Sequence, residues 1–453
     1  MYVLKLDNIT NNINQYEELV KLFLTNDEFK IITEESSDYE ITKTFVFDGD
    51  KNKIKRDIYK YLSDETGEFP KWGILTGIRP VKLAGELYDK MQDRQAVKKN
   101  LNTEYFMSDE KAELILDMYE YQQKALGKAP INSAGIYIGI PFCPTRCLYC
   151  SFTSNPYKND KAEAYLDALF KEISYVGHGM KETGIIAESI YIGGGTPTSL
   201  DADQLNRLLL HIKDSFDLSH VREFTVEAGR PDTITGDKLQ VLLDHGVERI
   251  SVNPQTMHDE TLVTIGRAHT VQQTREAFEL ADKYKMPVIN ADLIAGLPDE
   301  SAEDFIGTLN EVLSYGPENI TLHTLAVKRS SRLKELDENF HKRQPLVTET
   351  MLTDAKNILT EAGYKPYYLY RQKNIAGSTE NIGYCKDDTL SLYNVRIMEE
   401  AQSIIALGAG GISKVYYPEE NRLERIPNVS NYEIYIERID EMLERKEKNL
   451  FRR

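Results

Sequence analysis

The stretch Tyr137-Ile-Gly-Ile-Pro-Phe-Cys143-Pro-Thr-Arg-Cys147-Leu-Tyr149-Cys150 contains three of the four cysteines of this chain. A cubane [4Fe–4S] cluster normally takes four thiolate ligands, so a C-x3-C-x2-C loop can ligate three irons and leaves the fourth open. A small molecule can bind and react at an open iron. The alternatives are a zinc knuckle or a chance group of buried thiols. Zinc requires a fourth ligand at matching distance, and the next histidine downstream is His178.

The cysteine spacing resembles that of the radical S-adenosylmethionine (SAM) enzymes. In that family the amino and carboxylate groups of SAM occupy the open iron. An electron from the reduced cluster then cleaves SAM to methionine and a 5′-deoxyadenosyl radical. The resemblance implies a [4Fe–4S] cluster and SAM as cofactors, with Cys143, Cys147 and Cys150 as the metal ligands.

Length and charge restrict the class of protein. The chain has 453 residues, enough for two or three domains of about 150 residues each. Its 55 Lys and Arg against 72 Asp and Glu give a net charge of −17, which opposes broad binding to nucleic acid. No apolar run reaches the length of a membrane span, and the first residues do not read as a signal peptide. Because thiolate ligands must stay reduced, we expect a cytoplasmic protein.

Apolar runs and amphipathic stretches alternate from about residue 135 to 345, which predicts a parallel sheet flanked by helices. We predict a partial (β/α)6 barrel whose C-terminal strand ends carry the function. The predicted strands are 136–140, 189–192, 223–227, 249–253, 288–293 and 319–325. The predicted domains are 1–130, an α+β accessory domain, 131–345, the core barrel, and 346–453, a mainly helical domain that covers the substrate.

Residues suited to hold SAM follow several of these strands. Gly194, Gly195 and Thr196 form a turn whose backbone can approach the amino group of SAM. Glu227 and Asp292 can accept hydrogen bonds from ribose hydroxyls, and Glu227 can also accept them from an ammonium group. The alternative for the glycine turn is a tight strand-to-loop bend, and for each carboxylate taken alone it is a surface salt bridge or a helix cap. Because strand ends of this fold meet around one cavity, their joint placement favours a binding site.

The loop after the fourth predicted strand adds two donors. Gln255 and Arg267 can donate hydrogen bonds to the methionine carboxylate of SAM, Arg267 through two nitrogens. A surface salt bridge or a helix cap is the alternative for each of these two residues taken alone.

Taken together, these motifs resemble the oxygen-independent coproporphyrinogen III oxidase family of radical SAM enzymes. They are Tyr137 to Cys143, Tyr149-Cys150, Gly-Gly-Gly-Thr-Pro-Thr at 193–198, Arg267-Ala-His269-Thr and Asp292-Leu-Ile-Ala-Gly-Leu-Pro298. Within that family, the stretches 72–80, 367–374 and 380–384 resemble the HemZ-type branch. The resemblance implies that Tyr137 helps to hold SAM. It implies that Tyr149 packs on the adenine or shields the iron.

The family implies an oxidoreductase of porphyrin and haem biosynthesis, a coproporphyrinogen dehydrogenase. A 5′-deoxyadenosyl radical takes hydrogen from two propionates of coproporphyrinogen III, carbon dioxide leaves, and protoporphyrinogen IX results. An electron donor such as flavodoxin or ferredoxin is the expected partner. A tetrapyrrole with four propionates requires cations. The candidates, each of which is otherwise a solvated surface charge, are Lys328, Arg329, Arg371 and Lys373. No residue is assigned as catalytic.

Two other functions stay open. Phe152 stands where well-understood members of the family carry a further cysteine, and HemW-type haem chaperones share a phenylalanine there. The stretches 380–385 and 408–413 lack two histidines typical of those chaperones, which counts against the chaperone. A radical SAM methyltransferase that modifies haem has the same core and is the second alternative.

Overall fold

The chain forms two compact units, Met1–Tyr121 and Gln122–Arg453, where the sequence predicts three domains. The computed structural model describes residues 1–9, 12–34, 39–77, 79–152, 154–326, 331, 333, 345–372 and 379–452.

The first unit contains a three-stranded parallel sheet in the order β2-β1-β3. Leu4 and Leu6 lie on one face of β1 because side chains alternate along a strand, and both are buried in a core with Leu19 and Ile58. The strands are β1 (Tyr2–Asp7), β2 (Phe29–Ile32) and β3 (Lys43–Val46). The helices are α1 (Asn14–Val20), α2 (Lys51–Thr66), α3 (Pro80–Met91), α4 (Arg94–Glu104) and α5 (Asp109–Leu126). The predicted α+β character of this segment is confirmed.

The second unit contains an eleven-stranded sheet in the order β12-β13-β11-β10-β9-β8-β7-β4-β14-β15-β16. Within it, β4, β7, β8, β9, β10 and β11 are parallel neighbours in chain order, so the predicted (β/α)6 core is confirmed. The strands are β4 (Ser133–Ile140), β5 (Phe142–Cys143), β6 (Asn155–Pro156), β7 (Ile186–Gly194), β8 (Glu223–Glu227), β9 (Arg249–Ser251), β10 (Val288–Ala295), β11 (Asn319–Thr324), β12 (Lys365–Tyr370), β13 (Asn381–Cys385), β14 (Ser403–Leu407), β15 (Ile412–Tyr417) and β16 (Arg422–Pro427).

Helices connect the six parallel strands. They are α6 (Asn159–Thr183), α7 (Ala202–Ser215), α8 (Gly236–Asp244), α9 (Asp259–Thr264), α10 (Val271–Lys283) and α11 (Ala302–Ser314). Capping boxes define where α7, α10 and α11 begin, because Asp201, Thr270 and Ser301 each accept from the backbone three residues on. Among the described residues, no helix is long and apolar enough to cross a membrane.

The C-terminal segment differs from its prediction. It is mixed rather than mainly helical, because β12 to β16 all belong to the large sheet. β12 and β13 extend the sheet beyond β11, and β14 to β16 extend it beyond β4. Its helices are α12 (Pro345–Glu361), α13 (Leu392–Glu399), α14 (Tyr432–Glu437) and α15 (Ile439–Lys446), followed by a short π-helix, Glu447–Phe451.

Candidate active site

The cysteine loop leaves the C-terminal end of β4. Cys147 is buried, and Cys143 and Cys150 are partly buried. The loop is anchored to the segment after α9, because the Leu148 amide donates to the carbonyl oxygen of Ile265 at 2.9 Å. The loop that carries the three thiols is therefore tied to the β9–β10 connection.

The donor set fits a [4Fe–4S] cluster with one open iron, since three thiols stand in one short loop at the reactive edge of the sheet. Burial raises the pKa of Cys143, hydrogen bonds from Thr196 and Ser154 oppose this, and the nearby thiols of Cys147 and Cys150 raise it further. In the described ranges, no three His, Cys, Asp or Glu side chains already form a metal site. In a [4Fe–4S] cluster each thiolate binds a different iron, so the three sulfurs need not converge on one ion.

The glycine turn packs directly on the cysteine loop. The amide of Gly195 donates to the Ile140 carbonyl oxygen, and the amide of Thr196 donates to that of Phe142, both at 2.8 Å. A Cβ atom on Gly195 would lie 2.5 Å from the Phe142 oxygen and 3.0 Å from the Cys143 sulfur. Gly194 has a φ of 113°, in the region that favours glycine. The turn brings backbone groups beside Cys143, and its contact with SAM stays a prediction.

Gly195→Ala is expected to lower the iron content of the anaerobically reconstituted protein several-fold. The added methyl group must displace the backbone beside Cys143, and such overpacking costs about 1–3 kcal/mol. Gly307→Ala in α11 is the matched control, since a Cβ there meets nothing within 4 Å. Iron per chain measures the effect, and equal iron in the two variants would show that the close approach is unimportant.

Tyrosines surround the carboxylate at the end of β8. The hydroxyl of Tyr191 donates to Glu227 at 2.6 Å. The ring of Tyr191 stacks on Tyr393 with centroids 4.4 Å apart, and on Tyr137 with centroids 6.2 Å apart. Tyr191 and Tyr393 are absent from the predicted site. Tyr191 could have been found, because it lies beside Tyr137 in the register of β4 and β7. Tyr393 could not, because it comes from α13.

Glu227 makes stability depend on pH. Burial raises its pKa from the usual 4.5 to about 7, the Tyr191 hydroxyl opposes this, and Asp292 adds to it. The folded state therefore binds the proton more tightly than the unfolded state. The stability from this proton is complete below pH 4.5 and is lost as the pH rises to about 7.

Glu227→Gln is expected to remove this loss of stability with rising pH. In the wild-type protein the loss amounts to about 3 kcal/mol, at about 1.36 kcal/mol per pKa unit. The measurement is the urea midpoint of the protein without SAM between pH 5 and 8. Glu276→Gln, on the exposed side of α10, is the control and should keep the wild-type slope. A wild-type slope in Glu227→Gln would contradict the prediction.

The other predicted carboxylate, Asp292, has one partner on its own strand and one on the neighbouring strand β11. Asn290 donates to Asp292 at 2.8 Å, and the His323 Nε2 atom lies 3.5 Å from the second carboxylate oxygen. His323 also contacts the Tyr370 hydroxyl through Nδ1 at 3.0 Å. Burial alone would raise the pKa of Asp292, but His323 and neighbouring hydrogen bonds lower it overall. Asp292 therefore favours the charged form, whereas Glu227 favours the protonated form.

The two predicted donors to the SAM carboxylate have protein partners. Gln255 has a φ of 70°, which is unusual for a residue with a side chain, and its backbone amide donates to the Asp292 carbonyl oxygen at 3.0 Å. Arg267 donates to the Gly229 carbonyl oxygen at 2.9 Å and to the Tyr149 hydroxyl at 3.3 and 3.1 Å. Arg267 thus holds Tyr149 in the cysteine loop. The SAM contacts of Gln255, Arg267 and Tyr149 stay predictions.

Of the predicted substrate cations, the structure describes Arg371. It follows β12 and is buried, and burial lowers its pKa to about 10 although Glu380 opposes this. Lys328, Arg329 and Lys373 lie outside the described residues. All four substrate contacts stay predictions.

Arg230 is a residue that the sequence analysis missed as a site candidate. It follows β8, three residues after Glu227, and its guanidinium reaches the cysteine loop. Its position at the reactive edge is the signal that could have identified it.

Comparisons with known proteins agree with this geometry. A profile of the Radical SAM superfamily matches residues 137–312. The oxygen-independent coproporphyrinogen-III oxidase-like protein HemZ of Bacillus subtilis is 40% identical over 91% of this chain and 83% of its own length. The Heme chaperone HemW of Escherichia coli is 28% identical over 63% of this chain and 71% of its own length.

The solved structure of coproporphyrinogen III oxidase (HemN) from Escherichia coli has a similar fold. It superposes with a TM-score of 0.56 at 22% identity, covering 72% of this chain and 73% of that one. Radical SAM proteins use a [4Fe–4S] cluster and SAM, and the cysteine loop and glycine turn fit these groups. The chain therefore belongs to the radical SAM superfamily, in the family of the coproporphyrinogen-III oxidase-like protein HemZ.

Proposed function

We propose that this protein is an oxygen-independent coproporphyrinogen III dehydrogenase that converts coproporphyrinogen III to protoporphyrinogen IX. The observation that carries the proposal is the similarity to a relative named coproporphyrinogen-III oxidase-like. This chain is 40% identical to that relative over 83% of the relative's length. A 28% identical relative from Cereibacter sphaeroides is named oxygen-independent coproporphyrinogen III oxidase. The cysteine loop at the reactive edge supports radical chemistry there.

When bound, the cluster and SAM would supply a 5′-deoxyadenosyl radical that can take a hydrogen atom from the β-carbon of a propionate. The loss of carbon dioxide that follows would also release one electron, which requires an electron acceptor. The protein residues bind and orient SAM and the substrate. Asp292, held in its charged form by His323, accepts hydrogen bonds from the ribose of SAM. Glu227 and Gln255 complete that pocket, and the turn at Gly194 and Gly195 presents its backbone to the amino group.

The cationic candidates bind the substrate in this proposal. Arg371 lies after β12, a strand that pairs with β13 and so continues the sheet beyond β11. A buried guanidinium gains from a carboxylate partner, because the carboxylate offsets the burial that lowers its pKa to about 10. Arg371 would then pair with a propionate of the tetrapyrrole. We also propose flavodoxin or ferredoxin as the electron donor to the cluster.

The test is an anaerobic incubation of the reconstituted protein with SAM, dithionite and coproporphyrinogen III. Mass spectrometry follows the tetrapyrrole and 5′-deoxyadenosine. We expect protoporphyrinogen IX and about two deoxyadenosines per product, because two propionates react. The Cys147→Ala variant is the control and should form neither compound.

A second candidate function is haem carriage, which the 28% identity to the Heme chaperone HemW favours. A carrier would bind haem in a one-to-one ratio and leave coproporphyrinogen III unchanged. That result, with deoxyadenosine formed or not, would overturn the dehydrogenase proposal. A methylated tetrapyrrole would overturn it in favour of a methyltransferase.

A further inference from the structure

Arg230 joins the end of β8 to the cysteine loop. Its side chain is 3% exposed. One guanidinium nitrogen, Nη1, donates to the Thr145 carbonyl oxygen at 3.1 Å and lies 4.0 Å from the Cys147 sulfur. The other, Nη2, donates to the Thr145 hydroxyl at 3.0 Å. A buried cation thus contacts the loop at one of the three cluster ligands.

Neighbouring residues hold Arg230 in this position. Its Nε donates to Asp232 at 3.2 Å, and its carbonyl oxygen accepts from the Thr233 hydroxyl at 2.7 Å. Thr233 in turn lies 2.6 Å from the hydroxyl of Thr198, which ends the glycine turn. Contacts within the protein therefore position the guanidinium.

The positive charge of Arg230 favours the reduced state of the cluster. Reduction adds one negative charge to the cluster and its thiolates. A nearby cation and a hydrogen bond to a ligand sulfur stabilise that added charge, and both raise the reduction potential. Burial strengthens the effect because the surroundings screen the charge poorly. Asp232 carries the opposite charge beside Arg230 and weakens the effect.

We propose that Arg230 is a positioning residue that fixes the Cys147 side of the loop and raises the reduction potential of the cluster. The proposal rests on the cluster and not on the tetrapyrrole reaction. It remains testable if the substrate proves to be different, because the potential is measured without SAM or tetrapyrrole.

The experiment is a redox titration of the reconstituted full-length protein, followed by the electron paramagnetic resonance signal of the reduced cluster. In Arg230→Gln we expect the equilibrium constant for reduction of the cluster to fall about tenfold. This lowers the reduction potential by about 59 mV for one electron. Arg230→Lys keeps the charge and should shift less. Asp232→Asn removes the opposing charge and should shift the potential upward.

The matched control is Arg222→Gln, which removes an arginine from the other end of the same strand. Arg222 pairs with Glu188 at 2.9 Å and should leave the potential unchanged. A wild-type potential in Arg230→Gln, or an equal shift in Arg222→Gln, would overturn the proposal. If Arg230→Gln holds no cluster, Asp232→Asn decides, and a wild-type or lowered potential in that variant would overturn it.

Discussion

Replacing Cys143, Cys147 or Cys150 by alanine is expected to abolish cluster iron and SAM cleavage together. Each thiolate is predicted to bind one iron of a cluster that keeps its fourth iron open, and two ligands cannot hold a cubane cluster in place. The effect should be near complete for each variant, since the three positions share one loop. Iron and sulfide per chain and 5′-deoxyadenosine formation are the measurements.

Cys385→Ala is the matched control for these variants. Cys385 lies on β13, is fully buried and stands outside the loop. Its replacement should leave iron and deoxyadenosine near the wild-type level. A loop variant that keeps both would show that the ligand assignment is wrong at that position.

Lys446→Met is expected to destabilise the protein by about 3–5 kcal/mol, because it leaves a buried carboxylate without its cation. Lys446 and Glu172 are both 0% exposed and lie 2.6 Å apart. Glu172 also accepts from the Gly408 amide at 2.7 Å and the Tyr435 hydroxyl at 2.6 Å. Burial alone would raise the pKa of Glu172, but Lys446 and these hydrogen bonds lower it overall. The pair thus joins α6, α14 and α15 to the turn after β14.

The measurement is urea unfolding of the full chain. Combining Glu172→Gln with Lys446→Met should recover most of the loss, since glutamine is neutral and still accepts from Gly408 and Tyr435. Lys448→Met is the control, because Lys448 is exposed and lies 3.8 Å from Glu444. An unfolding midpoint in Lys446→Met equal to that of the control would contradict the prediction.

The sequence predicted features that depend on neighbours along the chain. The six barrel strands were recognisable because apolar runs and amphipathic helices alternate locally, and the observed bounds differ by a few residues. β9 ends at Ser251, before Asn253, and β10 continues to Ala295, past Leu293. The cysteine loop and the glycine turn each follow a predicted strand of the same sheet, and the register of Ile140 beside Gly194 shows that these two strands are neighbours.

The long-range features required the folded chain. β12 and β13 extend one edge of the sheet, and β14 to β16 extend the other. The local pattern that suggested a helical domain does not encode which strands these segments pair with. Arg230 lies three residues after the predicted Glu227, yet its contact with Cys147 spans 83 positions.

Sequence alone therefore predicted the cluster site at the reactive edge, because its three expected ligands lie in one short loop. Only the tertiary structure decided which charges surround that chemistry. Charged side chains are rarely buried without a partner, so the sequence predicts surface positions for Glu172, Lys446 and Arg230. In the structure all three are buried, Glu172 and Lys446 at 0% exposure. Their partners lie far along the chain, and folding alone brings them together.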